Sequence, residues 1–376
     1  MQRVFLKIPS HQKSQVLLWS SWITKIGLRK DFRLWKDSIY TGSSKEMDVQ
    51  ANEDVPLHDE FLVCGEVVTH VLKCGPWSDL FNTEDHSSPK LLVLVVTGNP
   101  GIPAFYAEFV KALYLSLEKR YPVWVISHAG HVSVPHGAKV DEERPEDPSG
   151  SKLDEDAFGL EGQVEHKLAF LRRHVPATLK LVLIGHSVGS YMLLEMMKRA
   201  PQLPVLRCFL LFPTIERIAK SPNGKVMTPL LCWLRYALYV PIYIGLSLVP
   251  AKVLTMLASV FLQRLKLKNE ITSRHVLNSL NVSCIANAMY LGSQEMRAIL
   301  ERDNCTIQKH LQKLTFYYGS SDAWCPVQYY EDLKKDFPGG DIKLCEKGIE
   351  HAFIMSSNQE MAAMVAGWLE DDLSKL

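Results

Sequence analysis

The aliphatic run Leu181-Val182-Leu183-Ile184 passes without a spacer into Gly185-His186-Ser187-Val188-Gly189, and Tyr191–Lys198 then repeats apolar residues at helical spacing. A buried strand, a tight turn and a helix in immediate succession leave few architectures open. The turn fits G-x-S-x-G, the motif that holds a serine at a strained strand-to-helix corner with its hydroxyl beyond the sheet. A side chain at position 185 or 189 would crowd such a corner. Ser187 as a plain helix N-cap would account for the strand and the helix, but not for glycine at both positions.

The same alternation runs through most of the chain. Short strands are expected over Glu60–Val63 and Val67–Lys73, around Gly65. Leu91–Val96 is an unbroken aliphatic run, the mark of a strand buried on both faces in a parallel sheet. It ends in the turn-rich Thr97-Gly98-Asn99-Pro100-Gly101, and Tyr106, Phe109, Leu113 and Leu117 then recur at helical spacing. Strands follow at Val123–Ser127, Leu179–Ile184, Leu206–Phe212, Leu314–Tyr318 and Ile342–Cys345. Helices are expected near Gly159–His174, after Gly189 as far as Pro201, over Gln328–Phe337 and over Asn358–Leu373. This pattern predicts an α/β fold with a doubly wound, mostly parallel sheet. The alternation lapses from 214 to 310, which is too long for a loop and reads as an inserted apolar helical cap. The core is then 56–213 together with 311–376.

A serine hydroxyl is a weak nucleophile without a base, and the base needs an orienting acid. In an elbow-bearing sheet these follow in the order Ser, Asp or Glu, His. Asp322 comes just after the strand at Leu314–Tyr318, and His351 just after the last strand. Both therefore fall on the rim where open α/β sheets bind ligands. An ordinary turn aspartate and a loop histidine are the bland alternatives; order and position together favour the catalytic assignment. His128 and His131 also lie at a strand end but precede the serine, and are read as lining the pocket or as structural. His186 should point away from the reaction, Asp303 and Asp336 read as solvent-facing, and Asp341 lies on the opposite rim. Backbone donors for an oxyanion are expected from Val188, next after the nucleophile, and from Asn99, by its main chain or side chain, because Pro100 has no N–H.

Composition removes other classes. Formal charge is 42 − 41 = +1, so no overall field attracts nucleic acid. Eight cysteines without a C-x-x-C pair make neither a disulfide scaffold nor a zinc motif, and they suit a reducing, cytosol-facing setting. No metal or other cofactor is implied. Residues 1–46 read as a basic N-terminal extension outside the fold, with eight Lys/Arg against Asp31 and Asp37 in the first 40 positions.

Within the cap, 226–265 is strongly apolar. Only 16 uncharged residues separate Arg235 from Lys252, below the ~20 of a spanning helix, and Pro241, Gly245 and Pro250 interrupt them. The segment is either a buried helix pair or a broken hairpin dipping into one lipid leaflet. Trp233, Tyr236, Tyr239 and Tyr243 beside Arg235 favour membrane contact. An apolar cap over such a site suits a neutral lipid ester better than a polar metabolite.

From about Pro56 to the C-terminus, roughly 85% of the chain, the sequence resembles the lipid droplet-associated hydrolase family. The resemblance rests on Gly98-Asn99-Pro100-Gly101, Ser127-His128-Ala129-Gly130-His131, Gly185–Gly189, Phe316-Tyr317-Tyr318-Gly319 and His351-Ala352-Phe353. It implies an α/β-hydrolase fold and a serine lipid hydrolase at lipid droplets and the endoplasmic reticulum, with sterol esters as proposed substrate. The family triad maps onto Ser187, Asp322 and His351. Acylglycerols are the other neutral-lipid substrate considered. An acyltransferase using the same acyl-enzyme, and a droplet-surface structural or regulatory protein with a weak or vestigial triad, are the competing readings.

Overall fold

The structure is a computed structural model that describes Val55 and residues 57–77, 79–81, 89–135, 137–141, 156–248 and 282–376. The basic extension 1–46 and positions 249–265 of the apolar segment lie outside the described residues.

β1 (Leu57–Cys64) and β2 (Val67–Cys74) form an antiparallel hairpin turned by Gly65 and Glu66, both left-handed with φ of 61° and 63°. Two left-handed residues give the turn whose twist matches paired strands. This hairpin extends both strands beyond the apolar cores visible in the sequence. β3 (Leu91–Val96) is buried at every position. A single 3-10 turn at Pro103–Tyr106 leads into α1 (Ala107–Ser116), followed by β4 (Val123–Ile126) and the two-residue β5 (Val140–Asp141).

α2 (Leu160–His174), β6 (Lys180–His186), α3 (Val188–Arg199) and β7 (Val205–Leu211) follow. Between β7 and β8 the described residues contain helices and no strand: α4 (Pro222–Cys232), α5 (Arg235–Leu248), α6 (Val282–Ala298) and α7 (Asn304–His310). The chain closes with β8 (Leu314–Gly319), α8 (Val327–Asp336), β9 (Asp341–Cys345) and α9 (Asn358–Leu373).

The sheet order is β5-β1-β2-β4-β3-β6-β7-β8-β9. Every pairing from β4 to β9 is parallel, and β2 is antiparallel to both β1 and β4. α1 packs on α9 and α2 on α3, so helices cover both faces. That double cover is why β3, β4 and β6 read as near-continuous aliphatic runs. Parallel register brings the C-terminal ends of β3, β6, β8 and β9 to one rim, with Val96 opposite Gly185 and Gly319 opposite Cys345.

α4 turns Leu231 inward, while Trp233 is 78% exposed. Tyr236, Leu238, Tyr243 and Ile244 of α5 are also exposed. A buried helix pair therefore does not describe the α5 face. Contrary to the expected break, α5 runs through Pro241 and Gly245 as one helix to Leu248. No described helix is long and apolar enough to cross a membrane.

Candidate active site

Ser187 sits between the end of β6 and the start of α3 with φ 54° and ψ −123°, a conformation that side-chain-bearing residues rarely adopt. The surroundings hold it there. Its N–H donates to the Leu211 carbonyl at 3.0 Å, and its own carbonyl accepts from the Ser190 N–H at 3.0 Å. Close packing explains both glycines. A Cβ on Gly189 would stand 2.2 Å from the Val96 carbonyl oxygen, and one on Gly185 would stand 2.7 Å from the Ser190 nitrogen.

The rim of the sheet brings the three distant side chains together. His351 Nε2 lies 3.0 Å from Ser187 Oγ, and His351 Nδ1 lies 2.6 Å from Asp322 Oδ2. The Asp322 side chain is fully buried, whereas the His351 side chain keeps 18% exposure toward the cavity. Asp322 also accepts from the Trp324 N–H at 2.7 Å, the Cys325 N–H at 3.2 Å and the Cys325 thiol at 2.9 Å. Burial works against its charge, but the hydrogen bond and charge of His351, with these donors, outweigh it and hold the carboxyl below the usual aspartate range. An ionised Asp322 requires Nδ1 of His351 to carry the proton, which leaves Nε2 free to accept one from Ser187. Asp322, Cys325 and His351 also form a three-donor group that could hold a metal by spacing, but every donor atom is already engaged in this hydrogen-bond chain.

The loop after β3 lies directly over the serine: a Cβ on Gly98 would be 3.0 Å from the Ser187 Cβ. Val188 is the first residue of α3, so its N–H has no acceptor within the helix. Asn99 divides its functions. Its side-chain amide donates to the Ala288 carbonyl and to Glu295 Oε1, each at 2.9 Å, so both hydrogens of that group are used. The side-chain option for an oxyanion donor is thereby removed, and the main-chain N–H of Asn99 is the group left.

His186 does point away from the serine, into a relay. The Gly98 N–H donates to the Tyr106 hydroxyl at 2.8 Å, the hydroxyl lies 2.7 Å from His186 Nδ1, and His186 Nε2 lies 2.9 Å from the His351 carbonyl oxygen. A carbonyl only accepts, so Nε2 carries the proton and Nδ1 accepts from the tyrosine. Burial, with the adjacent His351, lowers the His186 pKa to about 3, consistent with this neutral tautomer. One chain of hydrogen bonds thus joins the β3 loop to the backbone of the histidine.

The site opens into a cavity of about 440 Å³ whose lining is mostly apolar, including Ile102, Phe105, Leu231, Ile285, Met289 and Met296. Glu295 lines it too, a carboxylic acid only 4% exposed. Burial pushes its pKa up to about 7, against a smaller downward effect of the Asn99 hydrogen bond.

His128 and His131 do not line this cavity, contrary to the pocket reading. They stand behind the β3 loop. The His128 N–H donates to the Gly101 carbonyl at 3.0 Å, and His131 Nδ1 lies 2.5 Å from the Pro100 carbonyl oxygen. Gly101 has φ 76°, and a Cβ there would strike the His128 ring at 2.4 Å. The two histidines therefore support the loop. Their position at a strand end was readable in the sequence, but the side of the loop they take was not. Tyr106 and Glu295 were missed altogether. Tyr106 reads as one more apolar residue at helical spacing, and Glu295 as an acid in a segment without strand alternation.

Similarity to known proteins covers most of the chain. Residues 89–354 match the profile of the family described as lipid-droplet associated hydrolase. A human protein named lipid droplet-associated hydrolase is 56% identical over 330 residues, covering 88% of this chain and 100% of the human one. Among solved structures, a laboratory-evolved variant of potato epoxide hydrolase superposes with a TM-score of 0.55 at 13% identity, covering 84% of this chain and 99% of that one. An esterase from Exiguobacterium antarcticum superposes with a TM-score of 0.51 at 13% identity, covering 83% and 100%. At such identities the structural likeness concerns the fold, which is that of the α/β-hydrolases. With the sequence matched from before β3 to beyond His351, the chain belongs to the lipid droplet-associated hydrolase family.

Proposed function

We propose that this chain is a serine hydrolase that cleaves carboxylic esters of neutral lipids at the lipid-droplet surface. The observation that carries the proposal is the continuous chain from Ser187 through His351 to buried Asp322, opening into an apolar cavity. In this mechanism Ser187 Oγ attacks the ester carbonyl carbon as its proton passes to His351 Nε2. Asp322 holds the imidazole and offsets the charge it gains. The N–H groups of Val188 and Asn99 stabilise the oxyanion, each contributing about 2.7–4 kcal/mol if typical of such donors. Collapse expels the alcohol, protonated by His351, and leaves an acyl-Ser187. Water activated by His351 then releases the acid.

Apolar lining favours long-chain or sterol esters over polar substrates, and sterol esters are the finer substrate proposed, with acylglycerols as the alternative. The droplet setting draws on the name of the human relative and on the exposed apolar face of α5. All eight cysteines are free, in keeping with a cytosol-facing position on droplets and the endoplasmic reticulum. The α5 face also supports a second reading, a surface protein whose effect on droplets does not need the serine. Emulsified sterol esters and acylglycerols, incubated with wild type and Ser187→Ala and analysed for free acid and newly formed ester, test the proposal. Free acid from wild type alone supports hydrolysis. New ester formed in preference to acid points to acyl transfer, and a droplet phenotype that survives Ser187→Ala supports the surface protein.

A further inference from the structure

Glu295 has no part in the proton transfers above, yet it is a carboxylic acid held in an apolar cavity, where burial penalises its charged form. Among the described residues its one side-chain partner is Asn99, through Oε1 at 2.9 Å. The Asn99 amide makes a second bond to the Ala288 carbonyl, also at 2.9 Å. Ala288 and Glu295 are seven residues apart, two turns on one face of α6. Between them, Gly292 faces the amide at ordinary contact distance, with a Cβ there 3.5 Å from Asn99 Nδ2, and lies closest to the Leu231 side chain at 2.9 Å. The Asn99 side chain is thus clamped to the inserted helix, while its main chain lies in the loop over Ser187.

From this juxtaposition we infer that Glu295 is a positioning residue for the oxyanion site. By accepting from the Asn99 side chain it fixes the peptide whose N–H faces the reacting oxygen, and so makes catalytic competence depend on where α6 sits. The inference rests on the reading of Ser187 as nucleophile. It does not require Glu295 to hold α6 in place, because α6 has other ties to the core: Asn287 Nδ2 donates to the Gly130 carbonyl at 2.7 Å, and the Tyr290 hydroxyl donates to Asp156 Oδ2 at 2.5 Å. Loss of the carboxyl should therefore loosen the loop and leave the helix docked. Both protonation states of the carboxyl offer Asn99 an acceptor oxygen, as does the carbonyl of a glutamine at this position.

The test is steady-state hydrolysis of a soluble p-nitrophenyl ester by wild type, Glu295→Ala, Glu295→Met, Glu295→Gln, Asn99→Ala and Glu295→Ala/Asn99→Ala, with Ser187→Ala as control. Expected is a fall in kcat of about 10- to 100-fold for Glu295→Ala, approaching the loss of one oxyanion donor, with KM within about twofold. Glu295→Met, which fills the space without an acceptor, should behave alike and stands in if the alanine variant does not fold. Glu295→Gln should keep kcat within about threefold, and the double variant should be no slower than the slower single one. Unchanged kcat in Glu295→Ala and Glu295→Met, a loss confined to KM, or losses that multiply with Asn99→Ala would overturn the inference. If Ser187→Ala is as active as wild type, the nucleophile reading fails and this inference with it. A fast Glu295→Ala beside an inactive Ser187→Ala overturns the positioning role alone.

Discussion

His351 Nε2 stands 3.0 Å from Ser187 Oγ across 164 residues of sequence, a distance set by the parallel register of the sheet's rim. If this contact carries the proton, removing either partner should abolish turnover. Ser187→Ala and His351→Ala are each expected to lower kcat by about 10⁴-fold or more, and Asp322→Asn by about 10⁴-fold, with little change in KM. Initial rates on a soluble ester check this.

The Tyr106 hydroxyl bridges the β3 loop and His186. Tyr106→Phe would leave the Gly98 N–H and His186 Nδ1 without partners inside the protein. Each such group costs roughly 1–3 kcal/mol, so the variant is expected to lose about 2–6 kcal/mol of stability in denaturant titration. Its kcat should fall as well, because the same chain of hydrogen bonds ends on the His351 backbone.

Glu295 makes stability depend on pH with a definite sign. Its folded pKa of about 7 lies above the ordinary 4.5, so between these values the folded state binds the proton that the unfolded state has released. Stability from this group is present at low pH and falls as pH rises toward 7. Desolvation and the Asn99 hydrogen bond account for the shift, and no charged neighbour contributes to it. Glu295→Gln removes the effect. Between pH 5 and pH 8 its stability relative to wild type is expected to rise by roughly 2–3 kcal/mol, measured by parallel unfolding curves.

Gly189 has no room for a methyl group, with backbone 2.2 Å from any Cβ. Gly189→Ala is expected to destabilise the fold by about 3 kcal/mol, the upper end for overpacking, and to displace Ser187. A lower melting temperature together with lost activity is the expected result.

Trp233, Leu234 and Ile244 are exposed apolar residues of the α4–α5 surface. Replacing all three with serine should cut partitioning to phospholipid-coated neutral-lipid emulsions by tenfold or more, since each buried large side chain contributes about 1.5–3 kcal/mol. Hydrolysis of a soluble ester should be preserved within about twofold. Flotation and rate measurements on the same preparation separate the two effects.

Much of this was legible in the sequence because two independent constraints coincide there. Aliphatic runs mark strands covered on both faces, and the elbow motif prescribes the chain order in which an acid and a histidine must follow. That Asp322 and His351 come together beside Ser187 was legible because both lie at strand ends, where parallel register turns sequence position into spatial proximity. Glu295, Tyr106 and the loop-supporting role of His131 were not legible, because each depends on which side of the β3 loop a residue packs. No periodicity encodes that choice. The continuity of α5 through Pro241 was hidden for a related reason: proline weakens a helix locally, and surroundings decide whether it ends there.

The most direct test of the central claim is covalent labelling with a fluorophosphonate ester, followed by peptide mass spectrometry. The account predicts one adduct, on the peptide carrying Ser187, formed in wild type, slowed at least about a thousandfold in His351→Ala and absent in Ser187→Ala. Labelling of Ser187→Ala at the wild-type rate, or an adduct on another residue of active wild-type protein, would contradict it.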